Sequence, residues 1–254
     1  MEKQALKIPV ICAVYDYQTN QNHATGEVKV LGSRSSPYVM RTIIALHIKS
    51  LNYEFIEEKL SEGKSQLLLK SNPVHKRIPV LIHGDKPINE SLIIVQYIDE
   101  TWPSGPSILP SDPYERAVAR FWAAYLDEKW FPAVRSLGIA DGEEAKKAAI
   151  AQLEEGLALM EEAFGKCSKG KAFFGGDEIG FLDIAFGSFL GWLKVTEKIN
   201  GIKLMDETKT PALVNWTQSF CCHAAVKDVM PDIDKLTEVG KMAYARIRAA
   251  AGMH

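Results

Sequence analysis

The sequence predicts an α/β domain followed by a domain built only of helices, and three observations carry that prediction. Strand-like and helix-like patterns alternate through residues 26–103 in the order β-α-β-α-β-β-α. Three prolines and a glycine crowd residues 104–113, which is typical of a surface linker between domains. Apolar residues then recur at helical spacing through much of residues 114–254.

Composition excludes several classes of protein. The chain has 254 residues, enough for two domains, and 30 Lys plus Arg against 32 Asp plus Glu give a formal net charge of −2. This balance argues against nucleic acid as a partner. No apolar run reaches the roughly 18–20 residues of a membrane span, so we expect no membrane partner. The few scattered cysteines form neither a disulfide framework nor a zinc motif, which indicates a reducing, cytoplasmic location.

Residues 1–25 are predicted to form a flexible N-terminal extension. A short apolar stretch behind Lys3 and Lys7 gives them some likeness to a signal peptide. Pro9 interrupts that stretch, and no small-residue cleavage site follows it. Targeting stays open as the alternative.

A strand, a hydroxyl cluster and a proline mark the start of the α/β domain. Val28 and Val30 alternate with charged residues, as in a half-buried strand. Serines then precede Pro37, and a serine N-cap with proline at the first helical position is a helix start signal. We therefore predict a helix from Pro37 with Ser36 at its N-cap.

Shorter patterns define the remaining elements of this domain. We predict strands over residues 53–56 and 78–83, and a helical turn over residues 65–70. A turn at Gly84-Asp85 leads into a fourth strand, and a further helix follows Glu90-Ser91.

The third strand contains a proline, and this is the main pointer to a ligand. Proline donates no ladder hydrogen bond, so a strand accepts it at an edge, at a bulge or beside a bound peptide. The backbone of Ile78 is then free to pair with a ligand, while Glu90 and Ser91 open the next helix. We expect a site here for a small peptide with a free amine and a free carboxylate.

Helical periodicity dominates the second domain. An apolar stripe runs from Ile150 to Phe164. Residues 181–193 are apolar nearly all round, so we predict a single central buried helix there, with Asp183 closing a capping box at its start. Pro211 and Pro231 are predicted to open two later helices.

Together these motifs resemble the soluble glutathione transferases, specifically the plant tau class. The resemblance covers roughly residues 26–252 and lies in Ser36-Pro37, in SNPVHKRIPVL over residues 71–81, in Glu90-Ser91 and in GDEIGFLDIA over residues 176–185. It implies a thioredoxin-like N-terminal domain, an all-helical C-terminal domain and a homodimer.

The resemblance implies that Ser36 is the catalytic residue, whose hydroxyl donates a hydrogen bond to the thiolate of bound glutathione. A free thiol with a pKa near 8.5 is only a few per cent ionised at neutral pH. Lowering that pKa by about 2 units takes roughly 2.7 kcal/mol, which one hydrogen bond to a charged acceptor and a helix N-terminus can supply. In isolation Ser36 is an ordinary N-cap, and Ser35 can share both roles.

Further positions match the family's glutathione site, with roles that the resemblance implies. Pro79 matches a cis-proline that presents the Ile78 backbone to the cysteinyl unit as an added strand. Glu90 meets the ammonium of the γ-glutamyl end, and Ser91 holds its carboxylate. The basic residues near the glycine carboxylate, with solvated surface charge as their alternative reading, are Lys64 and Arg77.

The acceptor pocket departs from the family's pattern. The family usually has tryptophan and proline before the catalytic serine and phenylalanine two positions after it, where this chain has Arg34, Ser35 and Tyr38. Arg34 puts a cation where an apolar ring normally lines the pocket, which favours polar or anionic acceptors unless the side chain points to solvent. Aromatic residues at helical spacing also serve as core. The other pocket positions, by place in the family, are Tyr125, Lys129, Trp192 and Ile247.

The predicted activity is conjugation of glutathione, the co-substrate, to hydrophobic electrophiles in detoxification, with reduction of organic hydroperoxides as a side activity. The alternative is a ligandin, a non-catalytic carrier of hydrophobic small molecules in the same pocket. The set Ser36, Glu90 and Ser91 favours catalysis, because a pure carrier has no need to ionise a thiol. No metal-binding motif or triad spacing is visible in the sequence, so no metal is expected.

Overall fold

A computed structural model describes residues 28–59 and 63–250 of the chain. The predicted N-terminal extension, residues 1–25, lies outside these residues. Each helix within the described ranges is too short or too polar to cross a bilayer.

The first domain is the predicted α/β unit, with its elements in the predicted order. They are β1 (Val28–Gly32), α1 (Pro37–Ile48), β2 (Glu54–Glu57), α2 (Gln66–Ser71), β3 (Val80–His83), β4 (Lys86–Asn89) and α3 (Ser91–Thr101). Strand β3 starts at Val80 instead of Ile78, because Pro79 has no N–H for the ladder.

The four strands form one sheet in the order β2-β1-β3-β4. Strand β1 runs parallel to β2 and antiparallel to β3, and β3 runs antiparallel to β4. The register pairs Leu31 with Val80, and Val80 with Asn89. The C-terminal ends of β1, β2 and β4 therefore meet the start of β3 at one end of the sheet.

The second domain is helical. Its elements are α4 (Pro113–Tyr125), a π-helical turn (Leu126–Trp130), α5 (Phe131–Ile139), α6 (Glu143–Cys167), α7 (Phe181–Gly187), α8 (Leu190–Asn200), α9 (Pro211–Cys222) and α10 (Ile233–Ala250). The predicted apolar stripe lies on α6, Pro211 opens α9, and α10 begins just after Pro231.

The prediction of one helix over residues 181–193 is wrong. These residues form α7 and α8, separated by a turn at Ser188 and Phe189. In a continuous helix the Ala185 carbonyl would accept the Phe189 N–H, but it accepts from the Arg41 guanidinium (2.9 Å) and the Ser188 hydroxyl (3.1 Å). The Phe189 N–H donates to the carbonyl three residues back (3.0 Å). A side chain from the first domain thus occupies the acceptor that the helix needs.

A second irregularity is the π-helical turn between α4 and α5. Pro132, in the first turn of α5, has no N–H to donate to the carbonyl four residues back. A wider turn accommodates the missing bond, and such turns often lie at functional sites. This one carries Asp127 to the contact between the domains, where it pairs with Arg41.

A buried carboxylate holds the start of α7. Asp183 accepts the Gly180 N–H (2.9 Å), which is the backbone contact predicted for it; because Gly180 has no side chain, the reciprocal bond of a capping box is not made. It also accepts the N–H groups of Phe174 and Gly175 (2.8 Å each) and of the Trp216 indole (2.7 Å). Burial raises the pKa of this carboxyl to about 6, while the four hydrogen bonds act in the opposite direction. Asp183 therefore ties the loop before α7 to α9.

One apolar core runs through both domains. It extends from Val30 in β1 and Ile98 in α3 to Phe186 and Phe220 in the helical domain. Because the core is continuous, the end of the sheet has a defined position against the helices.

Candidate active site

The end of the sheet brings most of the predicted glutathione-site residues together. The loop of residues 33–36 follows β1, residues 78–79 precede β3, and Glu90 follows β4. The strand register makes these three segments neighbours in space. The residues gathered there are Ser36, Ile78, Pro79, Glu90 and Ser91.

Ser36 is the N-cap of α1. Its hydroxyl accepts the Val39 N–H at 3.4 Å, and its own N–H donates to the Ser33 carbonyl at 2.9 Å. Gly32 allows the close approach of strand and helix, because a Cβ there would lie 2.7 Å from the Val39 side chain. Since the half-buried Ser36 hydroxyl is an acceptor in the cap, its proton is available to an outside acceptor.

The Ile78–Pro79 peptide bond is cis. Asn72 braces the loop ahead of it: its side-chain N–H donates to the Arg77 carbonyl (2.9 Å), and its side-chain oxygen accepts the His75 N–H (3.1 Å). The ladder of β3 starts at Val80, so the Ile78 backbone lies beyond the sheet pairs. An extended peptide can add to the sheet at this point.

Glu90 has a backbone conformation that is rare for a residue with a side chain. Its φ is +70°, and its carbonyl accepts the Ile94 N–H at 2.8 Å as α3 begins. Such conformations concentrate at ligand sites, where the surrounding structure holds the strain. The Glu90 carboxylate is exposed and lies 3.9 Å from the His75 ring, whereas Ser91 is buried.

The two predicted basic residues lie at the rim of this end of the sheet. Lys64 and Arg77 are both exposed. Lys64 precedes Ser65, whose N–H and hydroxyl donate to the buried Glu58 carboxylate at 2.8 and 2.7 Å. In the described part of the chain, no group of three His, Cys, Asp or Glu side chains is placed to hold a metal ion.

A buried charge that was not predicted from the sequence lies beneath this site. Arg41 of α1 is 0% exposed. Its guanidinium donates two hydrogen bonds to the Asp127 carboxylate (2.6 and 2.9 Å) and one to the Ser91 hydroxyl (3.2 Å). The Ser188 hydroxyl (3.1 Å) and the Ala185 carbonyl accept its remaining bonds. One side chain thus joins α1, α3, the π-helical turn and the α7–α8 turn.

Arg41 acts directly on one predicted site residue. Because the Ser91 hydroxyl accepts from the guanidinium, its own proton is available to a ligand carboxylate. The sequence does contain one indication of this network, which is a charged residue within the apolar run of α1. Because charged side chains are rarely buried without a partner, an arginine there indicates a buried ion pair. Its side-chain partners Ser91 and Ser188 are 50 and 147 positions away, so a local sequence pattern could not predict them.

Two predicted acceptor-pocket residues lie where the domains meet. Tyr38, in the first turn of α1, packs edge-on against Phe131 and Phe189, with ring centroids 6.0 and 5.7 Å apart. Burial is the main cause that raises the pKa of the Tyr38 phenol, which is therefore protonated at neutral pH. The Trp192 indole N–H donates to the Ser35 carbonyl at 3.0 Å.

The other predicted pocket residues lie on four different segments of the chain. Arg34 is exposed, and its guanidinium lies 4.4 Å from the centroid of the Phe55 ring on β2. Tyr125 packs edge-on against a tryptophan one turn earlier in α4 (5.7 Å), and burial raises the pKa of its phenol. Lys129 on the π-helical turn and Ile247 on α10 are exposed.

The structure adds an aromatic residue that the sequence analysis did not single out. Tyr244 of α10 is buried, with its ring 6.3 Å from the Trp192 ring in an edge-on arrangement. Gly138 of α5 makes room for it, because a Cβ there would lie 2.3 Å from the tyrosine ring. The sequence could not predict this contact, because Gly138 and Tyr244 become neighbours only when α5 and α10 pack together.

Two family models match the chain. The model described as "Glutathione S-transferase, N-terminal domain" matches residues 26–100, and the model described as "Glutathione S-transferase, C-terminal domain" matches residues 143–219. The first match includes the sheet and Ser36, and the second runs from α6 into α9. The chain belongs to the glutathione S-transferase family.

Individual relatives narrow the assignment. Glutathione S-transferases U17 and U18 of Arabidopsis thaliana are each 60% identical over 227 residues, 89% of this chain and 100% of theirs. A tau class glutathione S-transferase from mango, Mangifera indica, has a solved structure with 65% identity and a TM-score of 0.83, covering 85% of this chain and 98% of its own. A rice glutathione S-transferase solved in complex with glutathione is 34% identical, with a TM-score of 0.79 over 87% of this chain and 97% of its own. Within the family, the chain belongs to the plant tau class.

Replacing Arg41 by methionine should lower the free energy of unfolding by about 2–4 kcal/mol. Asp127 loses its charge partner, and the Ser188 hydroxyl loses a buried donor. Because Asp127 is 29% exposed, the loss is smaller than for a fully buried pair. Chemical denaturation of both proteins at neutral pH measures the difference. Lys166→Met, which removes an exposed pair with Glu162, is the matched control and should leave stability nearly unchanged. Equal stability of the Arg41 variant and the wild type would contradict the role of the network.

Proposed function

We propose that this transferase joins the sulfur of glutathione to hydrophobic electrophiles, and that Ser36 stabilises the thiolate. One observation carries the proposal: the Ser36 hydroxyl caps α1 at the same end of the sheet as the cis Ile78–Pro79 bond and Glu90-Ser91. Family membership supports glutathione as the co-substrate.

Each part of the tripeptide has a partner with matching chemistry. The Ile78 backbone pairs with the cysteinyl unit as an added strand. The Glu90 carboxylate meets the γ-glutamyl ammonium, while the Ser91 hydroxyl and the N-terminus of α3 hold the γ-glutamyl carboxylate. The exposed side chains of Lys64 and Arg77 attract the glycine carboxylate.

Activation of the sulfur follows from the position of Ser36. The proton that the cap leaves available is donated to the thiolate, which is worth about 1.5–3 kcal/mol for a charged acceptor. The N-terminus of α1 adds about 0.3–1 kcal/mol. Together these lower the pKa of the thiol by about 2 units from 8.5, so that the thiolate predominates at pH 7 and its proton passes to solvent.

The thiolate then attacks an electrophilic carbon of the acceptor. A carbon–sulfur bond forms while the bond from that carbon to its leaving group breaks, and the leaving group takes the electron pair. The same thiolate can attack an organic hydroperoxide at oxygen, which yields an alcohol and the sulfenic acid of glutathione. A second glutathione converts that acid into the disulfide and water.

We also propose that the acceptors are foreign hydrophobic compounds removed in detoxification, and that the protein is cytoplasmic. The aromatic contacts around Tyr38 and Trp192 support an apolar acceptor. The free thiols of Cys167, Cys221 and Cys222 support a reducing compartment.

Ser36→Ala should lower kcat with an aryl halide acceptor by about 10- to 100-fold, while the Kd for glutathione changes by less than about threefold. The lost hydrogen bond reaches the sulfur and not the charged ends of the peptide. Steady-state kinetics and calorimetric titration measure the two quantities. Ser35→Ala is the control, because it tests whether the neighbouring hydroxyl shares the role. Wild-type turnover in the Ser36 variant would refute the assignment.

Arg34→Trp should move acceptor preference from anionic to neutral compounds. The change removes a cation two positions before Ser36 and restores the family's apolar ring. The measurement is the ratio of kcat/KM for an aryl halide bearing a carboxylate to that for its neutral amide, which should fall by about threefold or more. Lys166→Trp, on the exposed face of α6, is the control. An unchanged ratio would mean that Arg34 rests on Phe55 without influence on the acceptor.

We propose that the protein forms a homodimer through a surface made of Val74, Ile93 and Phe121. These large apolar side chains are 80%, 54% and 63% exposed. Helices α3 and α4, which carry the last two, are joined by hydrogen bonds from Arg120 to Gln96 (2.6 and 2.9 Å).

Light scattering on a sizing column should show a dimer for the wild type and a monomer for Val74→Glu, because a buried unpaired charge opposes association. Met242→Glu places the same charge on an exposed apolar position of α10 and should stay dimeric. A monomeric wild type would overturn the dimer, and a dimeric Val74 variant would overturn this surface.

A further inference from the structure

The side chain of Trp192 connects the helical domain to the loop that carries Ser36. Its indole N–H donates to the backbone carbonyl of Ser35 at 3.0 Å, although the two residues are 157 positions apart in the chain. Trp192 is half-buried, so water competes less for this bond than it does at an exposed site. The bond ends one residue before the proposed catalytic hydroxyl.

Backbone bonds on both sides hold the residue that carries the hydroxyl, and the Ser36 carbonyl accepts the Met40 N–H at 3.1 Å. The Ser36 N–H donates to the Ser33 carbonyl at 2.9 Å, and the hydroxyls of Ser33 and Ser35 lie 3.3 Å apart. The bond from Val39 to the Ser36 hydroxyl is long, at 3.4 Å. Because a peptide unit is rigid and planar, holding the Ser35 carbonyl also fixes the nitrogen and Cα of Ser36. The bond from Trp192 is therefore one of the restraints on the backbone from which the hydroxyl projects.

Helix α10 packs against the Trp192 indole. The Tyr244 ring packs edge-on against it, with centroids 6.3 Å apart. Gly240 brings the helix close, because a Cβ there would lie 3.4 Å from a carbon of the indole ring. Arg248 donates to the Gly138 carbonyl at 2.9 Å, which anchors α10 on α5. The donor thus has a defined position relative to the helices of the second domain.

We propose that Trp192 is a positioning residue, whose indole N–H orients the Ser36 hydroxyl toward the sulfur of glutathione. The inference rests on the proposed function of Ser36 and adds a residue of the second domain to it. Trp192 acts through the Ser35 carbonyl and not on the sulfur. A residue that served only as a wall of the acceptor pocket would affect acceptor binding alone.

Trp192→Phe removes the N–H and keeps an aromatic ring. We expect kcat to fall by about three- to tenfold, the KM for glutathione to stay within about twofold, and the pKa of the bound thiol to rise by about 0.5–1 unit. Ultraviolet absorbance of the thiolate across a pH series measures that pKa. The control is Trp102→Phe, whose indole packs on His83 in the first domain and which should leave all three values unchanged.

A benzothienylalanine residue at position 192 is the second variant, because it has the shape of tryptophan without the N–H. This variant tests the role of the indole N–H even if Trp192→Phe folds poorly. A wild-type thiol pKa and kcat in this variant would overturn the positioning role, and so would a change confined to the KM for the acceptor.

The wild type and Ser36→Ala separate this inference from the proposed function. If the wild-type protein does not lower the thiol pKa, the role of Ser36 itself fails, and the inference fails with it. If the wild type lowers the pKa and Ser36→Ala restores it, while both Trp192 variants behave as the wild type, only the role of Trp192 is refuted.

Discussion

The buried charge of Arg41 is the constraint on which the arrangement of the two domains depends. A guanidinium removed from water is costly unless its charge has a partner and its N–H groups have acceptors. Here Asp127 on the π-helical turn supplies the charge, while Ser91, Ser188 and the Ala185 carbonyl supply further acceptors. A shift of any one segment would leave part of the group unsatisfied. The same requirement explains the break between α7 and α8, while the π-helical turn that Pro132 imposes brings Asp127 to the guanidinium.

This network also links stability to chemistry. The Ser91 hydroxyl, which accepts from Arg41, is proposed to hold the ligand's carboxylate, and the guanidinium lies 5.2 Å from the centroid of the Tyr38 ring. Trp192 makes another tie between the domains, at the Ser35 carbonyl. In the proposed function, the first domain supplies the groups that face glutathione, and contacts from the second domain position them.

Features that depend on neighbouring residues could be predicted from the sequence, whereas features that depend on packing between distant segments could not. The strand and helix order, the Ser36 cap and the bond from the Gly180 N–H to Asp183 each involve a few neighbouring residues. The break at Ser188 depends on a guanidinium 147 positions away, which no periodicity reveals. Likewise, the motif residues at the sheet end lie in short contiguous runs. The contacts of Arg41 and Trp192 exist only after the domains have met, and those of Tyr244 only after α10 has packed on α5 and α8.

The continuous core and the shared guanidinium bear on how such a protein can evolve. A gene that combined the first half of one relative with the second half of another would bring together an arginine and acceptors that had not been selected as a set. Recombination at the linker would yield a stable chain only where the two halves supply both the arginine and its acceptors. New specificities in proteins of this architecture should arise by point changes around the cleft, with the two halves inherited as one unit.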